Sequence, residues 1–229
     1  MAVLSRSTQK EIMDDMSIRD DRLDVALREL QVINRMLGGN ATTRKGIRTL
    51  LRGGGTSEPL SILDVGAGGG DVTLSVVKLI PETKITAFDL NERVCTYASQ
   101  AHPRLTVVQG SVFDLPFREA SFDIVHASLF LHHFTEEELL RIVPSLVAQA
   151  RVGLVINDLR RSALAYIGIW LLTRLFSRSQ MVKNDGPLSV KRGFTKRELL
   201  RICRNVPSGS VTIRRTWAFR WLVCIRKKG

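Results

Sequence analysis

The stretch Ile62-Leu63-Asp64-Val65-Gly66-Ala67-Gly68-Gly69-Gly70-Asp71 limits what this chain can fold into more than any other. Its apolar start reads as a buried strand, Ser61 to Val65, and Asp71 opens a helix that runs to Leu79 and stops before Pro81. Closely spaced glycines let main chain approach a ligand where a Cβ would collide, and the following helix offers free N–H groups. A dinucleotide turn of the form G-x-G-x-x-G needs its third glycine at position 71, where this chain has Asp71. Asp64 at the strand end is suited to a cationic group, and a bare anion-binding loop gains nothing from it.

The texture around this turn sets the fold class. Strand patterns at Thr83 to Phe88, Leu105 to Gln109, Phe122 to Ala127 and Arg151 to Asn157 alternate with helical ones, at Asn91 to Ala101 and after Thr135. Thr135 with Glu138 three residues on is a capping box. Such alternation predicts parallel pairing through right-handed crossovers, a doubly wound α/β sandwich. Residues 8–37 read as one helix stopped by Gly38-Gly39, and a shorter helix through Ile47 and Leu51 ends at a Gly53-Gly54-Gly55 joint. Beyond Ser162 an apolar helix, Ala163 to Phe176, leads into a polar loop at Asn184-Asp185-Gly186-Pro187. A helix opens at Thr195, and Val211 to Trp217 with Phe219 to Arg226 form a hairpin-like pair.

Gly66-x-Gly68-x-Gly70 preceded by Asp64, together with Gln109-Gly110-Ser111-Val112-Phe113-Asp114 after the third strand, resembles the class I S-adenosylmethionine-dependent methyltransferases over residues 60 to about 158. The resemblance implies a mainly parallel seven-stranded, Rossmann-like sheet. An N-terminal helical cap (1–55) would precede the core (56–229), with a helical lid at about 160–195. It implies S-adenosylmethionine as cofactor, held by Asp64, Gly66, Ala67, Gly68, Gly70, Asp89, Leu90, Ser111, Val112 and Ser128. Asp64 would meet the ammonium group. Asp89 stands 23 residues after Gly66, near the ~20 expected of an acid that accepts from ribose hydroxyls. The family often carries an acid where this chain has Ser111, so that adenine contact departs from the pattern.

Methyl transfer to a hydroxyl needs an aligned oxygen and a group to take its proton. His126 lies within a strand and reads as a packing residue. His132 follows that strand, where open parallel sheets bind ligands, and Asp158 closes the next one, 26 residues on. Small-molecule O-methyltransferases that the chain resembles place a His and an Asp at these two positions. The resemblance therefore implies His132 as general base and Asp158 as its orienter; the other reading is packing or capping. Asn157-Asp158 and Ala127-Ser128-Leu129-Phe130 lack the Asn-Pro-Pro-aromatic pattern of amine and amide methylation. Asn157-Asp158-Leu159-Arg160-Arg161-Ser162, Asp185-Gly186-Pro187-Leu188-Ser189, Met13-Asp14-Asp15 and Asn34-Arg35-Met36-Leu37-Gly38-Gly39 resemble bacterial methyltransferases associated with polyketide and quinone biosynthesis. With the apolar helix at 163–176 as a pocket wall, this resemblance would suit a small hydrophobic phenol or quinol of secondary metabolism as acceptor. C-methylation of a quinol ring and RNA methylation are the alternatives.

Charge bears on partners. The net charge is +12, and 17 of the 34 Lys and Arg lie from Leu159 onward against only Asp185 and Glu198. A basic face favours anionic partners. With no stacking-aromatic platform, nucleic acid is disfavoured, and peripheral contact with a membrane stays open. The apolar helix at 163–176 is either core or one wall of a hydrophobic acceptor pocket, and Arg160 and Arg161 are either anion ligands or surface residues. Cys95, Cys203 and Cys224 lack metal-ligand spacing and read as reduced thiols, so no metal centre is expected. A polar start without an apolar leader segment, and apolar runs too short to span a bilayer, point to a cytoplasmic protein of undetermined oligomeric state.

Overall fold

The computed structural model describes residues 5–52, 59–204, 206 and 209–228. The expected Gly53-Gly54-Gly55 joint and the boundary at residue 55 lie outside them. The sheet is doubly wound and has seven strands: β1 (Ser61–Val65), β2 (Lys84–Asp89), β3 (Thr106–Gln109), β4 (Phe122–Ser128), β5 (Ala150–Leu159), β6 (Ser210–Thr216) and β7 (Arg220–Arg226). Their order is β3-β2-β1-β4-β5-β7-β6, parallel through β5, with β7 antiparallel to both β5 and β6. The terminal hairpin is as expected.

Both sheet faces are buried. On one, Leu63, Val65, Val125, Leu154 and Ile156 pack against α5 (Glu136–Gln149) and α8 (Lys196–Cys203), each opened by a complete capping box. On the other, Ile62, Ile85, Ile124 and Val155 meet α2 (Gly39–Leu51) and α3 (Asp71–Val77). α4 (Glu92–Ala101) runs along β2 and β3. Chain reversal between β1 and β4 opens a crevice at their C-terminal ends, the position where such sheets bind ligands.

Two expectations change, and the choice left open for 163–176 narrows. Residues 8–37 are not one helix: a 3-10 turn spans Ile12–Asp14, and α1 (Asp21–Met36) starts only after Asp20 caps it through Arg22 N–H. Asp14, in the same turn, accepts from Glu11 N–H, so local side-chain bonding outcompetes helix there. Residues 184–187 are not a loop but lie within α7 (Gln180–Arg192). Asp185 accepts from the main-chain N–H groups of Ile12 and Met13, and Gly186 lets α7 approach Ile169 and Thr173 of α6 (Ala163–Phe176). Tertiary contacts thus override the turn propensity of Asn-Asp-Gly-Pro. Finally, α6 is not core. It buries only Ala165 and Thr173, whereas Leu164, Ile167, Trp170, Leu171, Leu175 and Phe176 are exposed.

Gly46 is where α2 comes closest to the sheet: a Cβ there would stand 2.5 Å from Val155 Cγ1 and 2.9 Å from Leu222 Cδ1. Gly46→Ala should therefore cost about 1–3 kcal/mol by overpacking. Thermal unfolding of the variant should show a midpoint several degrees lower, and an unchanged midpoint would contradict this packing.

Candidate functional site

The turn after β1 is built from left-handed glycines, Gly66, Gly68 and Gly70 (φ +64°, +54° and +76°), conformations costly for any residue with a Cβ. Gly66 and Ala67 N–H both donate to Phe88 O at the end of β2. A Cβ on Gly66 would overlap the Phe130 ring, and one on Gly70 would overlap Leu105. Gly68 differs: the nearest atom to its missing Cβ is 3.9 Å away, so it presents bare main chain to the cavity. That cavity has a volume of about 450 Å³.

Most of the sequence-predicted residues line it. Asp89 receives Gly68 N–H at 3.1 Å and Asn91 N–H at 3.0 Å, and burial raises its pKa. Leu90 is half exposed beside it; Ala67, Ser111 and Val112 lie along the wall. Ser128, at the end of β4, has a buried Oγ with no partner among the described residues. Gly70 does not line the cavity; it caps α3 from beneath.

Asp64 is on the cavity floor but nearly sealed, 2 % exposed. One carboxyl oxygen accepts from the Thr73 hydroxyl, and the other lies 2.6 Å from His126 Nδ1. His126 is therefore buried as expected, with a bonding role that periodicity could not reveal. Its Nε2 is 2.9 Å from Thr43 Oγ1, and Asn157 Nδ2 donates to that same hydroxyl and to Gly39 O. Arg220 continues the row, donating to Asn157 Oδ1, Asn34 Oδ1 and Leu37 O. Asp71 also faces the cavity, where burial raises its pKa to about 6.

The structure brings His132 and Asp158 together. His132 Nδ1 is 2.7 Å from Asp158 Oδ1, and Asp158 Oδ2 accepts from His132 N–H at 3.3 Å. Asp158 stands behind the ring and His132 alone of the pair reaches the cavity. Leu129, which turns the chain from β4 toward His132, holds a left-handed φ of +52°, the kind of local strain that clusters at functional sites. Burial opposes charge on the imidazole, but Asp158 and Glu11 overcome it and hold the pKa at about 9. Asp158 is correspondingly shifted downward: burial disfavours its charge, and His132 more than offsets that.

Sequence reasoning missed Glu11, Asp14 and Arg192. Glu11 Oε1 lies 3.4 Å from His132 Nε2, and His133 Nδ1 is 2.6 Å from Asp14. Arg192 donates to Asp14 Oδ2 and to the carbonyls of His132 and His133. The string Met13-Asp14-Asp15 was the only signal. Arg161 proves structural, bonded to Gly193 O and Glu198, whereas Arg160 lies over the Phe219 ring on a second cavity of about 470 Å³. The two cavities share Leu30, Asn34, Leu129, Leu159 and Ser189. Ala165, Ile169 and Leu172 of α6 line the second, which supports the pocket-wall reading of that helix. The three thiols are free and buried, with pKa values pushed up to about 11 by burial. No helix among the described residues is long and apolar enough to cross a membrane.

Comparison with known proteins agrees with this geometry. Residues 62–153 match a methyltransferase domain family. An uncharacterised methyltransferase of Synechocystis is 30 % identical over 142 residues, 58 % of this chain and 66 % of its own length. The demethylmenaquinone methyltransferase of Chlorobaculum tepidum is 34 % identical over 82 residues, 36 % of this chain and 33 % of its own. The chain thus spans between a third and two thirds of these relatives' length. Human N-acetylserotonin methyltransferase, solved with S-adenosylmethionine, superposes with a TM-score of 0.65 at 18 % identity, over 95 % of this chain and 58 % of that one.

His126→Leu removes the ring that joins Asp64 to Thr43. Leaving those buried groups unsatisfied should cost about 1–3 kcal/mol or more. Urea unfolding should show a lower midpoint with an unchanged slope; an unmoved midpoint would mean that the row carries no stability.

Proposed function

This chain belongs to the class I S-adenosylmethionine-dependent methyltransferases, and on that premise we propose that it binds S-adenosylmethionine over the glycine turn and methylates an oxygen of a small hydrophobic phenol or quinol. The residues present suit the cofactor. Gly68 offers approachable main chain, Asp89 sits at the end of β2 where ribose hydroxyls need an acceptor, and Leu90 and Val112 give apolar surface for a base. Ser128 Oγ supplies an unpartnered polar atom at the methionine end, where Asp64 and Asp71 favour a cation. Bound there, the cofactor supplies a methyl group already activated by a sulfonium charge.

The observation that carries the reading is the His132–Asp158 pair on the cavity wall, with Nδ1 held at 2.7 Å. Fixing Nδ1 leaves Nε2 as the atom that meets an acceptor hydroxyl, at a buried place on the cavity wall. At neutral pH the ring holds its own proton, and it must shed that proton before it takes another. A hydroxyl that moves Glu11 away from Nε2 removes one of the two carboxylates that retain it. The apolar second cavity supports a hydrophobic acceptor, with α6 and α7 as its lid and α1 and α2 as the cap above the sheet. C-methylation of a quinol ring is the second reading, favoured by the similarity to a demethylmenaquinone methyltransferase, because the same base would take the ring proton.

The test is methyl transfer from labelled cofactor to a panel of phenols and quinols. His132→Ala and Asp158→Asn should each lower kcat by about 10²–10⁴-fold, the usual worth of a general base, with cofactor binding retained. Undiminished turnover in both would remove the base assignment, and product methylated at carbon would select the second reading.

A further inference from the structure

We propose that Glu11, His132 and His133 form a binding site for a divalent transition-metal cation, zinc foremost, which competes with the proton for Nε2 of His132. Their ligand atoms all lie within 4.8 Å of one another. Glu11 Oε1 is 3.4 Å from His132 Nε2, and Glu11 Oε2 is 4.0 Å from His133 Nε2. Nitrogen and oxygen donors bind zinc at about 2.0–2.1 Å, which puts tetrahedral donors roughly 3.4 Å apart. The Glu11–His132 pair already has that separation; His133 Nε2 stands 4.0 Å from the other Glu11 oxygen and within 4.8 Å of the remaining ligand atoms, so His133 must close in to complete the set.

Three further features single out this cluster. Each histidine has its Nδ1 held by a carboxylate, His132 by Asp158 at 2.7 Å and His133 by Asp14 at 2.6 Å. Such partners fix ring orientation and tautomer in metal-ligating histidines and leave Nε2 free to coordinate. The two rings lie side by side, centroids 4.3 Å apart. Next, His132 Nε2 and Glu11 Oε1 are buried polar atoms that face each other across 3.4 Å, and neither has another hydrogen-bond partner among the described residues. Finally, Glu11 and Asp14 flank Arg192, which bonds Asp14 at 2.9 Å and lies 3.9 Å from Glu11, while Asp158 behind His132 interacts with Arg6 and Arg220. Two neutral nitrogens and a carboxylate are a zinc donor set, and the cavity these residues line leaves room for a further ligand.

A lone pair on Nε2 holds a proton or a metal, not both. An ion bound there therefore blocks proton acceptance, so zinc should inhibit methyl transfer and a chelator should restore it. The competition rests on His132 as the proton acceptor; the metal site does not.

The direct test titrates chelator-treated protein with Zn²⁺ by calorimetry and with Co²⁺ by visible absorption, neither of which needs methyl transfer. One ion per chain is expected, with a cobalt spectrum of low coordination number. Glu11→Gln and His133→Ala should abolish stoichiometric binding. Asp14→Asn touches no ion but orients His133, and should weaken binding by about 10–100-fold. Circular dichroism of each variant checks the fold. Failure to bind, or binding undisturbed in folded Glu11→Gln and His133→Ala, overturns the site. Stoichiometric binding with zinc-stimulated turnover keeps the site and overturns the competition.

Discussion

The carboxyl group of Asp64 is sealed beneath the glycine turn, and much of the chain is arranged to satisfy it. Thr73 of α3 takes one oxygen and His126 of β4 the other. His126 in turn needs Thr43, Thr43 is shared with Asn157, and Asn157 meets Arg220. The row crosses β1, β4, β5 and β7 on one sheet face and ends on Asn34 and Leu37 at the C-terminal end of α1. In a medium of low dielectric each such group is stabilising only while its neighbours are in place. The turn, the N-terminal cap and the last strand pair are thereby tied into one unit, and the cavity inherits its rigidity from them.

How much of this was legible follows from how local each signal is. The glycine spacing, the alternation of strands and helices and the Thr135–Glu138 cap are written within a few residues, and the structure bears them out. Asp89 and His132 could be placed at the crevice, where the structure has them, because a strand end fixes its own position in an open sheet. Glu11 and Asp14 could not, since they reach the site from an irregular segment more than 110 residues before His132, anchored by Asp185. The same long-range anchoring makes a helix of Asn184–Pro187, where local propensity reads a turn. His126 shows the limit of periodicity: alternation says that a residue faces inward and is silent on which hydrogen bond it makes there.

The basic C-terminal third also reads differently once folded. Arg220 is buried among amides and a carbonyl, and burial lowers its pKa to about 10. Arg192 is spent on Asp14 and two carbonyls, and Arg161 on Glu198. These three act as internal donors, Arg220 tying the end of α1 to the sheet, Arg192 joining α7 to the Asp14 and His132–His133 turns, and Arg161 reaching α8, not as an anion-binding face. What the surface does present beside the second cavity is the apolar side of α6.

Bare main chain at Gly68, with acids at the ends of β1 and β2, is shaped for a sulfonium nucleoside. Calorimetric titration with S-adenosylmethionine and, separately, with a nicotinamide dinucleotide tests it most directly. One molecule of the first should bind per chain and none of the second; uptake of the dinucleotide alone would overturn the assignment of the glycine turn.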